Sequence, residues 1–150
     1  MKRTIFLLIG VLLLTSPMFA WYYSVQTSWN GTIHEPGSTT FTPTSTTAYM
    51  KMTAPDKSLS CPVCEQDPPL YRDYTAQARL TNGTTDHRVG RKCGGCAKGT
   101  KTVNTTDNWT LYAEIVNDCP DGNQEPSWGP VTAVASSTAL SNCVGSAPEE

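Results

Sequence analysis

Residues 93–120 read CGGCAKGTKTVNTTDNWTLYAEIVNDCP. Within this stretch Leu111, Ala113 and Ile115 alternate with Tyr112, Glu114 and Val116. Period-two alternation over Trp109 to Asp118 predicts a β-strand with one face in a core and the other half exposed. A Cys-Gly-Gly-Cys knot precedes the strand and Cys119-Pro120 closes it. Three of the six cysteines of the chain fall inside the stretch, so the strand is expected to be anchored at both ends.

Working outward, residues 21–33, WYYSVQTSWNGTI, are aromatic and β-branched and predict a first strand that ends at the Asn30-Gly31 turn signal. Residues 34–47 are dominated by Ser, Thr and Pro and read as an exposed loop. Ala48 to Met52 reads as a short strand and Ala54 to Lys57 as a turn. Pro68 and Pro69 cannot donate to a ladder, which makes residues 65–69 a loop. Asp73 to Leu80 alternates at Tyr74, Ala76, Ala78 and Leu80, but Ala, Gln, Arg and Leu also favour helix, so strand and helix both stand there. Asn82-Gly83 is a turn signal, residues 121–130 are turn-rich, and Val131 to Leu140 fits a last strand or a helix. No long helical pattern is present, so the fold is expected to be mainly β with long loops.

Residues 1–20, MKRTIFLLIGVLLLTSPMFA, place Lys2 and Arg3 before an apolar run from Ile5 to Leu14. That run is too short to cross a bilayer of roughly 30 Å and has the order of a secretory signal peptide, with cleavage expected after Ala20. No later run is long enough to span a membrane. The expectation is an extracellular protein with one disulfide-bonded domain over residues 21–145 and a loose tail at 146–150. Loss of Lys2 and Arg3 takes the formal charge from −2 to −4, which argues against nucleic acid as a general partner. His87, Arg88, Arg91, Lys92, Lys98 and Lys101 form a local exception, read as a solvated basic loop or as a site for an anionic ligand. All six cysteines follow the leader, which in an oxidising compartment reads as three disulfides in one of fifteen connectivities. Asn30, Asn82, Asn104 and Asn108 each begin an Asn-x-Thr acceptor for N-glycosylation.

Several constellations bear on chemistry. Cys61-x-x-Cys64 and Cys93-x-x-Cys96 have the form of a tetrahedral zinc site. Thiolates would have to survive an oxidising pathway, and two further cysteines would be left over, so no metal and no cofactor is expected. The redox use of such pairs needs a helix N-terminus to lower the thiol pKa, and no helical pattern follows either pair. Glu114, Asp118, Asp121 and Glu125 are carboxylates near the central strand, and His34 and His87 are the two histidines. No Ser-His-Asp arrangement, phosphate loop or nucleotide motif is present.

Cys93-Gly94-Gly95-Cys96 followed by Tyr112 to Pro120 resembles the barwin and expansin-like group of double-psi β-barrels, which carries a C-G-x-C motif, a hairpin and an alternating strand ending I-V-D-x-C. The cysteine order is also similar: two, then the C-G-x-C pair, then the strand-end cysteine, then one near the C-terminus. The specific match covers 93–120, and cysteine order extends it loosely over 61–143. The resemblance implies a small disulfide-stapled, double-psi-like β-barrel with bonds Cys61–Cys93, Cys64–Cys119 and Cys96–Cys143. The sequence departs from the group in the close spacing of Cys61 and Cys64, in Asn117 where the group has Asp, and in lacking the His-Phe-Asp segment of expansins. An amide cannot donate the proton that sugar hydrolysis requires, and Asp118, the weak catalytic candidate, falls on the other face of the strand.

These readings converge on a secreted glycoprotein that binds extracellular or cell-wall carbohydrate, on a polysaccharide or glycoprotein surface, without cleaving it. Trp109, Tyr112 and Trp128 are the candidate ligand-binding rings, because aromatic faces stack on sugars. The alternatives are a secreted glycan-cleaving enzyme of the same barrel class using Asp118 and a second carboxylate, and a structural or protein-binding effector.

Overall fold

Eight strands make up the computed structural model of the chain, which describes residues 20–29, 36–55, 75–92, 94–116 and 128–144. In chain order they are β1 (Tyr22–Trp29), β2 (Gly37–Phe41), β3 (Thr47–Ala54), β4 (Thr75–Thr81), β5 (Asp86–Lys92), β6 (Gly95–Thr102), β7 (Trp109–Val116) and β8 (Trp128–Ser136). They form two four-stranded sheets, β1-β8-β3-β6 and β2-β7-β4-β5, and every pair is antiparallel. The pairing is nested: β4 with β5, β3 with β6, β2 with β7 and β1 with β8. The ribbon so formed is folded over, so that β8 also meets β3 and β7 also meets β4. This is the strand order of an eight-stranded jelly roll, a double-sheet architecture. The closed barrel expected from the sequence is not found, because among the described residues the ladders end at β1 and β6 in one sheet and at β2 and β5 in the other.

The alternation along β7 decides which face is core. Trp109, Leu111, Ala113 and Ile115 are buried, while Thr110, Tyr112, Glu114 and Val116 are half-exposed. Ala76, Ala78 and Leu80 of β4 lie on the same inner face. They meet Met50, Met52, Val131, Ala133 and Ala135 from the other sheet in one core. Many of these positions are alanine, and the large residues Met50, Met52, Leu80, Leu111 and Trp109 fill the space between them. One flank of the core is aromatic: Phe41 lies 5.0 Å from Trp21 and is stacked on Tyr23 at 4.1 Å. At that flank β1 and β2 approach so closely that a Cβ on Gly37 would sit 2.0 Å from the Gln26 carbonyl oxygen.

Three segments differ from their sequence reading. Residues 37–41 are a strand rather than part of a loop, because Thr is β-branched and an edge strand needs only one partner. The basic segment is not a loop but two strands, β5 and β6, joined where Gly94 and Gly95 have φ of 91° and 90°. Two consecutive residues in that region favour glycine, and they carry the chain from one sheet to the other. Residues 75–81 resolve as strand, paired on both sides, and the last strand already begins at Trp128.

After β8, residues 137–144 cross the outer face of the β1-β8-β3-β6 sheet as an irregular strap. Cys143 is bonded to Cys96 on β6. Lys51 Nζ donates to the Ser141 carbonyl at 3.3 Å and to Ser141 Oγ at 3.0 Å, and Lys98 Nζ donates to Asn142 Oδ1. Among the residues of this outer face, Val134 and Ser136 are buried. Residues 1–19, Cys61, Cys64, Cys93, Cys119 and residues 145–150 lie outside the described residues.

Candidate functional site

The outer face of the β2-β7-β4-β5 sheet gathers three ion pairs of the described residues around one aromatic ring. Cross-strand register places Ser38, Tyr112, Arg79 and Arg88 in one row, with Thr40, Thr110, Thr81 and Asp86 in the next. Glu114 and Gln77 are partners in the row on the other side. The Arg79 guanidinium lies 5.7 Å from the centre of the Tyr112 ring. Its Nε donates to both Asp86 carboxylate oxygens, at 3.1 and 3.0 Å, and its Nη1 donates to Glu114 at 3.4 Å. Gln77 Nε2 donates to the other Glu114 oxygen at 2.5 Å, and Arg88 Nη2 donates to Asp86 at 2.9 Å. On β2 the neighbours of Tyr112 and Thr110 are Ser38 and Thr40, both small and exposed. One side of the ring is therefore occupied by a guanidinium, and the other has only short hydroxyl side chains beside it.

The electrostatics follow from these contacts. Asp86, by its hydrogen bonds, raises the Arg79 pKa most, burial opposes this, and Glu114 adds to the rise. Burial pushes the Asp86 carboxyl up, but hydrogen bonds and charge from Arg88 and Arg79 outweigh it and hold the carboxyl below its ordinary value. Such a carboxylate is suited to accepting hydrogen bonds. A general acid in glycan cleavage needs the opposite, a carboxyl whose pKa is raised.

Of the three candidate rings, Tyr112 lies at the centre of this face. Trp109 does not: it is 1 % exposed and belongs to the core, because it shares the inward parity of Leu111 and Ala113. Its ring is stacked on His87 at 5.5 Å and its Nε1 donates to the Asn104 carbonyl at 3.2 Å, so no face is left for a ligand. Trp128 lies in β8, and its side chain is outside the described residues. Asp118, Asp121, Glu125 and His34 also lie outside them. His87, the other histidine, donates from Nε2 to the Thr102 carbonyl at 2.8 Å.

Three of the acceptor asparagines, Asn82, Asn104 and Asn108, sit at the loops of one end. Asn82 and Asn104 each donate from Nδ2 to Asp107 Oδ2, at 2.8 and 2.6 Å, and hydrogen bonds from Asn104 first and Asn82 second lower the Asp107 pKa. Asn108 is exposed, and its Oδ1 accepts from Thr42 at 2.7 Å. Asn30 is outside the described residues. The Cys96–Cys143 bond commits one of the four sulfurs of the zinc reading to another partner. Among the described residues no His, Cys, Asp and Glu cluster able to hold a metal is present, and no helix is long and apolar enough to cross a membrane.

Arg79, Gln77 and Asp86 escaped the sequence reading. Gln77 and Arg79 carry the opposite parity to Ala76, Ala78 and Leu80, so the strand reading of this segment already placed them outward. Their pairing with Tyr112 and Glu114 depends on register across β4 and β7, which no local pattern encodes. No protein family, no curated protein and no solved structure matches the chain.

Proposed function

We propose that the protein is a secreted, non-catalytic carbohydrate-binding module that holds sugar on the outer face of the β2-β7-β4-β5 sheet. The observation that carries this is Tyr112, a half-exposed ring in a rigid sheet, framed by side chains already fixed by one another. A sugar presents an apolar face and a rim of hydroxyls. The ring matches the first. The carboxylates of Asp86 and Glu114, the guanidinium N–H groups of Arg79 and Arg88, and the hydroxyls of Ser38 and Thr40 match the second. The positive and negative groups of this face are paired, which suits a neutral sugar. Because the polar groups are held before the ligand arrives, binding loses little side-chain entropy.

The leader, the disulfide and the Asn-x-Thr acceptors support an extracellular setting. The resemblance of residues 93–120 to the barwin and expansin-like group supports carbohydrate as the ligand class. Polysaccharide pull-down and calorimetry on a glycan panel test the assignment. Tyr112→Ala should weaken binding at least about tenfold, the equivalent of roughly 1.4 kcal/mol, with stability lowered by under about 1 kcal/mol. Binding that survives Tyr112→Ala and Arg79→Ala together would overturn it.

A further inference from the structure

The two outer faces treat charge in opposite ways. On the β2-β7-β4-β5 face, Arg79 and Arg88 both have carboxylates within 3.4 Å. On the β1-β8-β3-β6 face, Lys51 of β3 and Lys98 of β6 are direct cross-strand partners. Their stems therefore rise side by side from the same surface. Among the described residues no ion pair reaches either lysine, since all three ion pairs lie on the other sheet. Like charges placed directly opposite one another destabilise a sheet, and nothing in the packing of the core requires either of them.

What the lysines do touch is the strap. Lys51 donates to the carbonyl and hydroxyl of Ser141, and Lys98 donates to Asn142 Oδ1. These acceptors are neutral, so among the described residues neither positive charge is compensated. An ammonium has three N–H donors, so donors remain on both lysines. With its Oδ1 taken by Lys98, Asn142 keeps an NH2 group that meets no acceptor among the described residues. Ser141 keeps its hydroxyl proton. The next residue, Cys143, is bonded to Cys96, which lies two positions before Lys98 on the same strand. The disulfide thus fixes the strap beside the two ammonium groups. The same strap closes a cavity of about 220 Å3 between Tyr49, Lys98, Thr100 and Leu140. That is below the roughly 300–1,000 Å3 of pockets for drug-sized ligands, so one sugar ring or one acid group is the most it can take.

We propose that Lys51, Lys98, Ser141 and Asn142 form an oxyanion site that binds the carboxylate or sulfate of an acidic sugar unit, with the ring of that unit against Tyr49 and Leu140. The site is separate from the neutral-sugar face, on the opposite side of the sandwich, and stands or falls independently of it. Its chemistry is two positive charges, an amide and a hydroxyl, all donors, fixed by a covalent bond rather than by a counter-ion.

Calorimetric titration of the full chain at low salt tests it, using neutral, uronate and sulfated oligosaccharides of equal length, with inorganic sulfate as a fourth titrant. One charged oligosaccharide should bind at least about tenfold tighter than the neutral one, as hydrogen bonds to charged groups imply, and that preference should shrink as salt is raised. The uronate and sulfate arms decide which anion the site prefers. Lys51→Gln with Lys98→Gln should abolish the preference. Lys51→Arg with Lys98→Arg, which keeps charge and donors, should retain it. Tyr112→Ala should weaken the neutral oligosaccharide but leave the affinity for the preferred charged one at this site unchanged, so failure of this site and failure of the neutral-sugar face are read separately. Equal binding of charged and neutral oligosaccharides, a preference that survives the double Gln variant, or binding of inorganic sulfate with no gain from a saccharide would each overturn the proposal.

Discussion

Trp109 and Tyr112 stand three positions apart on β7, and the fold assigns them opposite work. Replacing each by Ala in turn measures that assignment directly. Trp109 is 1 % exposed. A buried Trp removes roughly 200 Å2 from water, which at about 25 cal/mol per Å2 is about 5 kcal/mol. Compactness of the unfolded chain lowers this by roughly 10–40 %, leaving about 3–4.5 kcal/mol. Large-to-small aromatic substitutions in cores cost about 3–5 kcal/mol, so the two routes agree. Loss of the Nε1 hydrogen bond adds little, because Asn104 is exposed and its carbonyl can turn to water. Tyr112→Ala should cost under about 1 kcal/mol, chiefly the exposed guanidinium contact. For a chain of this size the predicted difference lowers the melting temperature of Trp109→Ala by roughly 10–20 °C relative to Tyr112→Ala. Urea and thermal unfolding followed by far-UV circular dichroism give both numbers. Fluorescence is unsuitable, since one of four tryptophans is being removed. A Trp109→Ala protein within 1 kcal/mol of the parent, or a Tyr112→Ala protein equally damaged, would refute the two-faced reading of β7.

Two further outcomes are expected. Cys96→Ala with Cys143→Ala opens a loop whose ends are 47 residues apart. The chain-entropy relation gives about 4 kcal/mol for a loop of that length, an upper value if other bonds already restrict the unfolded chain. Equilibrium unfolding of the double variant should show a loss of at least about 2 kcal/mol, and no loss would mean that the bond constrains only the strap. Asp86 has its pKa held down in the folded state, so its contribution is present above its unfolded pKa near 3.8 and is lost as pH falls through the lower folded value. Asp86→Asn should therefore destabilise the protein at neutral pH by no more than about 1 kcal/mol, as a partly exposed pair allows. The gap from the parent should narrow below about pH 4; a gap that widens in acid contradicts the ion-pair geometry.

How far the fold was legible depended on where each strand sits. β3, β7 and β8 are interior to their sheets, and their apolar alternation marked them, with a helix still open for the last. β4, also interior, was left between strand and helix by its Ala, Gln, Arg and Leu content until pairing on both sides decided it. The strands read as loops, β2, β5 and β6, are all edges. Edge strands bury little and carry charge, which keeps them from pairing with other chains. Such sequences look like loops from composition alone. β1 is an edge too, but its inward Trp21, Tyr23 and Val25 gave it away. The site divided in the same manner. The half-exposure of Tyr112 was legible from parity. Trp109 was misplaced because nearness to the central strand outweighed its parity. Arg79 and Gln77 needed a register between strands 30 or so residues apart, which tertiary pairing alone sets, and Asp86 needed the β4-β5 hairpin that its reading as a loop left out.

The nested strand order has a consequence for how the molecule comes into being. β1 finds its hydrogen-bonding partner only in β8, and β2 only in β7. A growing chain that has reached the end of β6 can make β3 with β6 and β4 with β5, but neither sheet has its full complement. The 34 residues that follow Thr102, up to Ser136, take on the order of seconds to synthesise at roughly 5–20 residues per second. Asn82 has no Asp107 to bind until the start of that segment is made, since Asp107 lies beyond Thr102. The Asn82 amide is thus open early on the nascent chain and claimed by Asp107 in the finished fold.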